Sequence, residues 1–404
     1  MFTESFFTLL LGLEEGWHVD KIETDINKEE VRIYIKCKLK EAEIASETCK
    51  YYDSAPSREW RHLDTLQFKT FIVCSLPRFK TSTGKVKTLS PPWADPMERH
   101  SYLFERMVID LLLATKKQSK VSELMRCGFN VINRIMHIST ARGLSRRNYQ
   151  DLSFEHVSID EKSFKRGHNY VSVLSHPSSG CVLDVEEGRD KKACKKLLDK
   201  SLTQEQQKNI KKISMDMWKA YLNGCKEKLP NAKVVHDRFH LVKYLNEAID
   251  KVRRREVKTQ EELKGARYAL LKNKDNLTEL QRIKFEAIHE ANYEVAKAWQ
   301  VKENFRDLFA SEPKAAFVLF CKWAANSMAK NIKEVTKVVE MFKKHISGII
   351  EALIHSLSNA MAERLNGKIQ EIKTAARGYR TFKNFRSAIL FFNGGLDLYP
   401  LRKG

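Results

Sequence analysis

Between residues 151 and 256 short apolar runs alternate with helical stretches in an order that leaves few folds open. Strand-like segments are predicted at Val157–Asp160, Tyr170–Ser175, Cys181–Val185, Lys211–Asp216 and Lys233–Asp237. The turn-forming run His176–Gly180 joins the second to the third. Helical periodicity covers Lys191–Leu202 and Trp218–Leu229, the latter stopped by Pro230. Three strands, a helix, a strand, a helix and a strand predict an antiparallel trio extended by parallel strands. The first strand is expected to end at the sheet rim on Asp160, and the later ones on Asp216 and Asp237.

The flanking regions follow other periods. Residues 1–95 read as a small β-rich module in which Val31–Leu39 alternates strictly, and Leu66, Phe68 and Ile72 continue at strand spacing. It carries few large apolar clusters, as in units that lean on a metal. Pro91-Pro92-Trp93 marks a boundary, and residues 96–150 turn helical. Within them Lys120–Ser139 predicts helix, turn, helix, with Gly128 taking the positive φ of the turn and Asn130 capping the second helix. Arg134, Arg142, Arg146 and Arg147 place positive charge on and after that helix, as in a helix-turn-helix that reads DNA. Residues 257–350 are almost wholly helical, and residues 351–404 return to elements that belong with the sheet.

Charge narrows the partner. Lys and Arg total 72 against 51 acids, a formal net charge of +21, which points to a polyanion and first to nucleic acid. No run approaches the roughly 18 apolar residues of a membrane span. The run Phe6–Leu13 lacks a basic leader and is followed by Glu14 and Glu15, unlike a secretory signal. Eight scattered cysteines with no CxxC pair fit a reducing interior, so a soluble cytoplasmic protein is expected.

The stretch Leu357–Lys373 has two faces at helical spacing. Met361, Leu365, Ile369 and Ile372 form an apolar stripe; Asn359, Glu363, Asn366 and Gln370 form a polar one rich in amides around a single acid. Gly367 within it offers room for close approach of DNA. Phosphodiester cleavage needs one oxygen activated and another stabilised, and two metal ions held by carboxylates meet both needs. Asp160, Asp216 and Glu363 are the acids expected to converge on magnesium, which asks for oxygen ligands. Arg364, Lys368 and Lys373 are expected on phosphates beside them, and Trp299 and Trp323 are candidates to stack on an unpaired base.

Four segments carry a resemblance: Ser158–His168 (SIDEKSFKRGH), Asp237–His240 (DRFH), Ser358–Ile369 (SNAMAERLNGKI) and Gly378–Phe385 (GYRTFKNF). With them the chain resembles bacterial insertion-sequence transposases of the ISL3 type, over most of its length. The resemblance implies a DDE triad at Asp160, Asp216 and Glu363, and an RNase H-like core interrupted by a helical insertion. In these terms the domains are a degenerate zinc ribbon (1–95), a helix-turn-helix (96–150), a first core segment (151–256), the insertion (257–350) and C-terminal core helices (351–404). It further implies two magnesium or manganese ions, and double-stranded DNA as terminal inverted repeats and target. A homodimer or larger assembly on DNA, associated with the bacterial nucleoid, follows by the same likeness.

Asp237 rivals Asp216 for the second position, but Asp237-x-x-His240 matches an element that related transposases place after their second aspartate. Asp216 is therefore preferred, with Asp237, His240, Asn359 and Asn366 expected to support the acids or position DNA. The family's zinc ribbon uses two cysteine pairs. Here Ser46 and Thr81 stand where partners of Cys49 and Cys74 are expected, and hydroxyls are poor zinc ligands, so no zinc is expected. The alternative reading is a catalytically silent, transposase-derived repressor that only binds DNA.

Overall fold

A computed structural model describes residues 2–401 except 45, 148–154, 166, 168, 273–275, 292 and 356–359, and describes only the backbone at 2, 3, 262, 268 and 360–363. The chain is a mixture of helices and three sheets, gathered into two compact units.

The first unit combines residues 1–148 with 372–377 and 396–404. Helix α1 (Phe2–Leu10) precedes eight strands: β1 (Trp17–Asp25), β2 (Glu30–Cys37), β3 (Glu41–Glu43), β4 (Thr48–Ser54), β5 (Arg58–Arg61), β6 (Lys69–Cys74), β7 (Pro77–Lys80) and β8 (Val86–Thr88). They form two four-stranded sheets, ordered β1-β2-β6-β5 and β3-β4-β7-β8. The first has a substantial core, contrary to the expectation of few apolar clusters. Trp17, Ile33, Trp60, Ile72 and Trp93 are all buried, with Trp93 edge-on to Trp17 and Trp60 at 5.2 and 5.7 Å. Leu66 is not a strand residue; it sits exposed in the turn before β6 with φ 55°.

Packing and hydrogen bonds hold this module together. Cys49 lies in β4 and donates from its thiol to the Glu47 carbonyl at 3.3 Å, whereas Cys74 ends β6 in the other sheet. Burial, with Cys37 nearby, pushes the Cys74 thiol up to about 12. The hairpin tips are tied together instead: Ser82 donates its N–H and hydroxyl to Glu47 Oε1 at 2.9 and 2.6 Å.

Three helices follow, α2 (Tyr102–Thr115), α3 (Gln118–Leu124) and α4 (Phe129–Arg146). The turn between α3 and α4 differs from expectation. Gly128 caps α4 in extended backbone and Asn130 lies inside the helix; the left-handed residue is Arg126, φ 49°. Ion pairs of the Arg126 guanidinium with Asp64 and with Glu29 (3.7 Å) help hold that conformation.

The second unit comprises residues 149–371 and 378–395. It opens with β9 (His156–Lys165), β10 (Asn169–His176) and β11 (Cys181–Glu187), then α5 (Lys191–Ser201), α6 (Gln204–Asn209), β12 (Lys212–Met215), α7 (Lys219–Lys228) and β13 (Lys233–His236). Strand order is β11-β10-β9-β12-β13, with β9, β10 and β11 antiparallel and β12 and β13 parallel to β9. The expected antiparallel trio with parallel additions is thus present; α6 is an extra turn of helix closed by a Thr203–Gln206 capping box.

Val157, Ile159, Leu174, Leu183, Ile213 and Met215 form one core with Leu197 and Tyr221 from α5 and α7. The chain then runs through α8 (Arg238–Glu256), α9 (Arg267–Leu271), α10 (Glu279–Glu290), α11 (Glu294–Asp307), α12 (Ala316–Ala329), α13 (Lys333–Lys344) and α14 (Ile346–His355). These helices share a single core with Met217 and Val235, at the ends of the parallel strands. Trp299 and Trp323 belong to that core; Trp323 donates its indole N–H to the Val301 carbonyl at 2.9 Å. Both are therefore packing residues, withdrawn from any unpaired base. Helices α15 (Ala360–Ala375) and α16 (Phe382–Asn393) close the chain. Phe385 stacks on Phe164 of β9 at 5.4 Å, and Arg386 forms a two-pronged pair with buried Asp184 of β11 at 2.7 and 2.8 Å.

Candidate active site

The register of two parallel strands brings the aspartates together. In the β9–β12 ladder His156 faces Lys212, Val157 faces Ile213 and Ser158 faces Ser214. Carried two residues further, this register sets Asp216 beside Asp160. Side chains alternate along a strand, so both acids lie on the face opposite Val157, Ile159, Ile213 and Met215. Asp160 is not the end of its strand, as expected, because β9 stays paired with β10 through Lys165. It lies just past the last β9–β12 pair, where the sheet opens beside it.

One imidazole spans the two carboxylates. His240, in the first turn of α8, has Nε2 3.9 Å from Asp160 Oδ1 and Nδ1 3.5 Å from Asp216 Oδ2. Around this centre each acid is oriented separately. Asp160 accepts from Asn366 Nδ2 of α15 at 3.0 Å, pairs with Lys162 Nζ at 2.8 Å and takes the Glu161 N–H at 2.7 Å. Asp216 takes the Met217 N–H at 2.6 Å, and Tyr244 Oη lies 3.3 Å from both its carboxylate oxygens.

Burial alone raises the Asp160 carboxyl, but Lys162, His240 and Asn366 outweigh it and hold it below the usual carboxylate range. Burial and the neighbouring Asp216 charge raise the Tyr244 phenol, so Tyr244 donates to Asp216 as a neutral hydroxyl. Two oriented carboxylates form a hard-oxygen donor set of the kind magnesium or manganese accepts. Among the described residues no three His, Cys, Asp or Glu side chains gather as a metal cage. The third expected acid, Glu363, has its side chain outside the described residues, as Asn359 does entirely. Residue 363 does lie one turn before Asn366 on α15, the helix whose Asn366 touches Asp160.

Asp237 has a different place. It caps α8, accepting the Phe239 N–H at 2.7 Å, and so fixes the helix that carries His240 and Tyr244. Tyr244 and Lys162 went unremarked in the sequence, although each lies at a telling interval: Tyr244 one turn after His240, and Lys162 two residues after Asp160 on the same strand face.

The basic residues divide. Arg134 is committed to a two-pronged pair with Glu98 at 2.9 and 2.8 Å. Arg142 is mostly buried against Glu105 at 2.7 Å and also donates to the Leu398 carbonyl, while Arg146 reaches Asp397 and the Tyr399 carbonyl. Arg147 ends α4 partly buried, and Lys373 is partly buried on α15. Arg364 and Lys368 are exposed on α15, one turn apart and each two residues from Asn366, on the side of the helix turned away from it. Gly367 lies between them with open space beside it.

Residues 157–389 match a family profile described as Transposase, of the DDE ISL3 type, and this stretch contains both aspartates, His240, Tyr244, Glu363 and Asn366. The transposase for insertion sequence element IS1557 of Mycobacterium tuberculosis is 27% identical over 411 residues, covering 93% of this chain and 92% of that protein. The transposase for insertion sequence element IS1001 of Bordetella parapertussis is 23% identical over 390 residues, covering 93% and 95%. No helix among the described residues is long and apolar enough to cross a membrane. With a profile match over more than half its length and relatives aligned nearly end to end, the chain belongs to the ISL3 family of DDE transposases.

Proposed function

We propose that the protein cuts DNA at the terminal inverted repeats of an insertion sequence and joins the freed ends to target DNA, on an RNase H-like core. The observation that carries the reading is the pair Asp160 and Asp216, set side by side by parallel register and both within 4 Å of His240. Their carboxylates, with that of Glu363, are the ligands for magnesium or manganese. When bound, the metal supplies Lewis-acid activation of the attacking oxygen and charge stabilisation of the leaving one. Water attacks the phosphodiester at the element's end and leaves a 3′-hydroxyl; that hydroxyl attacks a target phosphodiester and displaces a second 3′-oxygen. No side chain becomes covalently attached to DNA.

The chain's own residues have separable duties. Asn366 and Lys162 fix the rotamer and charge of Asp160, and Tyr244 orients Asp216. His240 keeps the two acids in a common frame, and Asp237 fixes the start of α8 beneath it. Helices α3 and α4 act as a helix-turn-helix on the repeat, in line with the net charge of +21. Arg364 and Lys368, exposed on the side of α15 away from Asn366, contact backbone phosphates of the bound DNA. The active form is a dimer or larger assembly that holds two ends.

The test mixes the protein with labelled DNA from the ends of its own element, with magnesium or manganese. Nicking and strand transfer that disappear in Asp160→Ala, Asp216→Ala and Glu363→Ala, with DNA binding retained, are the expected result. Binding of the repeats with no cleavage under either metal sinks the reading in favour of a repressor.

A further inference from the structure

The two parallel strands share a pattern that the acids do not exhaust. Strand β12 is followed by Asp216-Met217-Trp218 and β13 by Asp237-Arg238-Phe239. The β12–β13 register pairs Lys212 with Lys233 and Met215 with His236, so Trp218 and Phe239 occupy equivalent positions beyond the two strand ends. Both rings are exposed, Trp218 by 42% and Phe239 by 49%, in a protein whose other tryptophans in this unit, Trp299 and Trp323, are buried. Aromatic surface at two adjacent strand ends, beside a pair of carboxylates, is not what packing alone produces.

Trp218 is also held in place while exposed. Its indole N–H donates to the Arg189 carbonyl at 2.8 Å, and the Arg189 guanidinium lies 4.9 Å from its ring. Arg189 is fixed in turn by the Tyr170 ring at 4.0 Å and by Glu161, the neighbour of Asp160, at 3.1 Å. The position is locally unfavourable: Trp218 is the N-cap of α7 and supplies no side-chain cap, where Ser, Thr, Asp or Asn would stabilise the helix. From Phe239 a groove of about 420 Å³ runs along α8, lined by Lys243, Lys251 and Glu247 and by Arg254 and Arg267, which reach Asp250 at 2.7 and 3.8 Å. Cations beside exposed rings match a single nucleic-acid strand, with its anionic backbone and stackable bases.

We propose that Trp218, flanked by Phe239, is a stacking platform for an unpaired base of the DNA strand that enters the aspartate site, with the α8 groove taking that strand's phosphates. Trp218 is a positioning residue: it holds the base so that the adjoining phosphodiester lies at Asp160 and Asp216. The inference rests on the reading of the site as a DNA-cleaving centre and adds the form of DNA it prefers, locally unpaired rather than fully duplex.

The experiment compares a blunt DNA duplex with the same duplex carrying a short single-stranded extension that contains 2-aminopurine, both measured in EDTA so that no cleavage occurs. The intact protein is expected to bind the extended duplex about tenfold more tightly than the blunt one and to quench its fluorescence. Trp218→Ala should abolish the quench and most of the preference, Phe239→Ala should reduce them, and Trp218→Phe should restore them in part. Affinity for blunt duplex should be unchanged in all three, which separates loss of stacking from loss of fold. Equal affinity for the two DNAs, or a preference and quench that survive Trp218→Ala, overturns the proposal. Failure of the cleavage test with this preference intact would instead reject the catalytic reading and leave the stacking site standing.

Discussion

At the scale of single residues, the nearness of Asp160 and Asp216 was readable and the groups that hold them mostly were not. Asp160 and Asp216 each follow a short apolar alternation, a signal local enough to see in a sequence. Tyr244 and Lys162 act on them through proximity created by the β9–β12 register and by the seating of α8, which no local pattern encodes. Asn366 was legible because an amide on a polar helical stripe is unusual where Lys and Glu ordinarily face water. Since Asn366 and Tyr244 touch carboxylates rather than substrate, Asn366→Ala and Tyr244→Phe should raise the metal concentration needed for half-maximal cleavage about 10- to 100-fold. DNA binding measured in EDTA should be unaffected. A change in DNA affinity without a change in metal requirement would reassign both residues to the substrate.

At the scale of elements, the strands and helices of the second unit followed their periodicity, and so did the His176–Gly180 turn, while the α3–α4 turn of the first unit and close contacts did not. The α3–α4 turn places its left-handed residue at Arg126 rather than Gly128 because ion pairs with Asp64 and Glu29 offset the cost of positive φ, information spread over a hundred residues. The module of residues 1–95 looked thin in sequence because Trp17, Trp60 and Trp93 are far apart along the chain and meet only in the folded sheet. Two helical glycines make the point testable. A Cβ at Gly348 of α14 would stand 2.5 Å from the His236 ring, itself buried and edge-on to His345 at 5.3 Å. The roughly 1 kcal/mol that Ala gains over Gly in helix propensity is smaller than the cost of about 1–3 kcal/mol for forcing a packed contact apart. Gly348→Ala should therefore lower the unfolding midpoint. Gly367→Ala in α15 meets nothing within 4 Å and should raise it slightly, while weakening DNA binding if the backbone there approaches the duplex. Equal effects of the two substitutions on stability would contradict this account of α14 against β13.

At the scale of the whole molecule, a net charge of +21 says that a polyanion is bound but not which cations bind it. The structure sorts them by what they already hold. Arg142 pairs with Glu105, which is 1% exposed, so Arg142→Ala leaves that buried carboxylate with only His100 at 3.7 Å and Ser139 at 3.4 Å and should destabilise the first unit by about 1–3 kcal/mol. Arg134 spends both prongs on Glu98, whereas Arg364 and Lys368 project from the same turn of α15 into solvent. Binding to duplex DNA weakens with salt because each neutralised phosphate releases counterions, contributing about −0.9 per contact to the slope of log K against log salt. Replacing Arg364 and Lys368 together by alanine should make that slope shallower by about 2, uniformly across DNA sequences. Arg134→Ala should leave the slope near that of the intact protein, since the phosphate contact it was expected to make competes with its pair to Glu98. Titrations of fluorescent duplex at four or five salt concentrations resolve a difference of that size. If instead the Arg134 variant flattens the slope and the double variant does not, the duplex is held by α4 rather than α15, and the phosphate contacts proposed for Arg364 and Lys368 have to be abandoned.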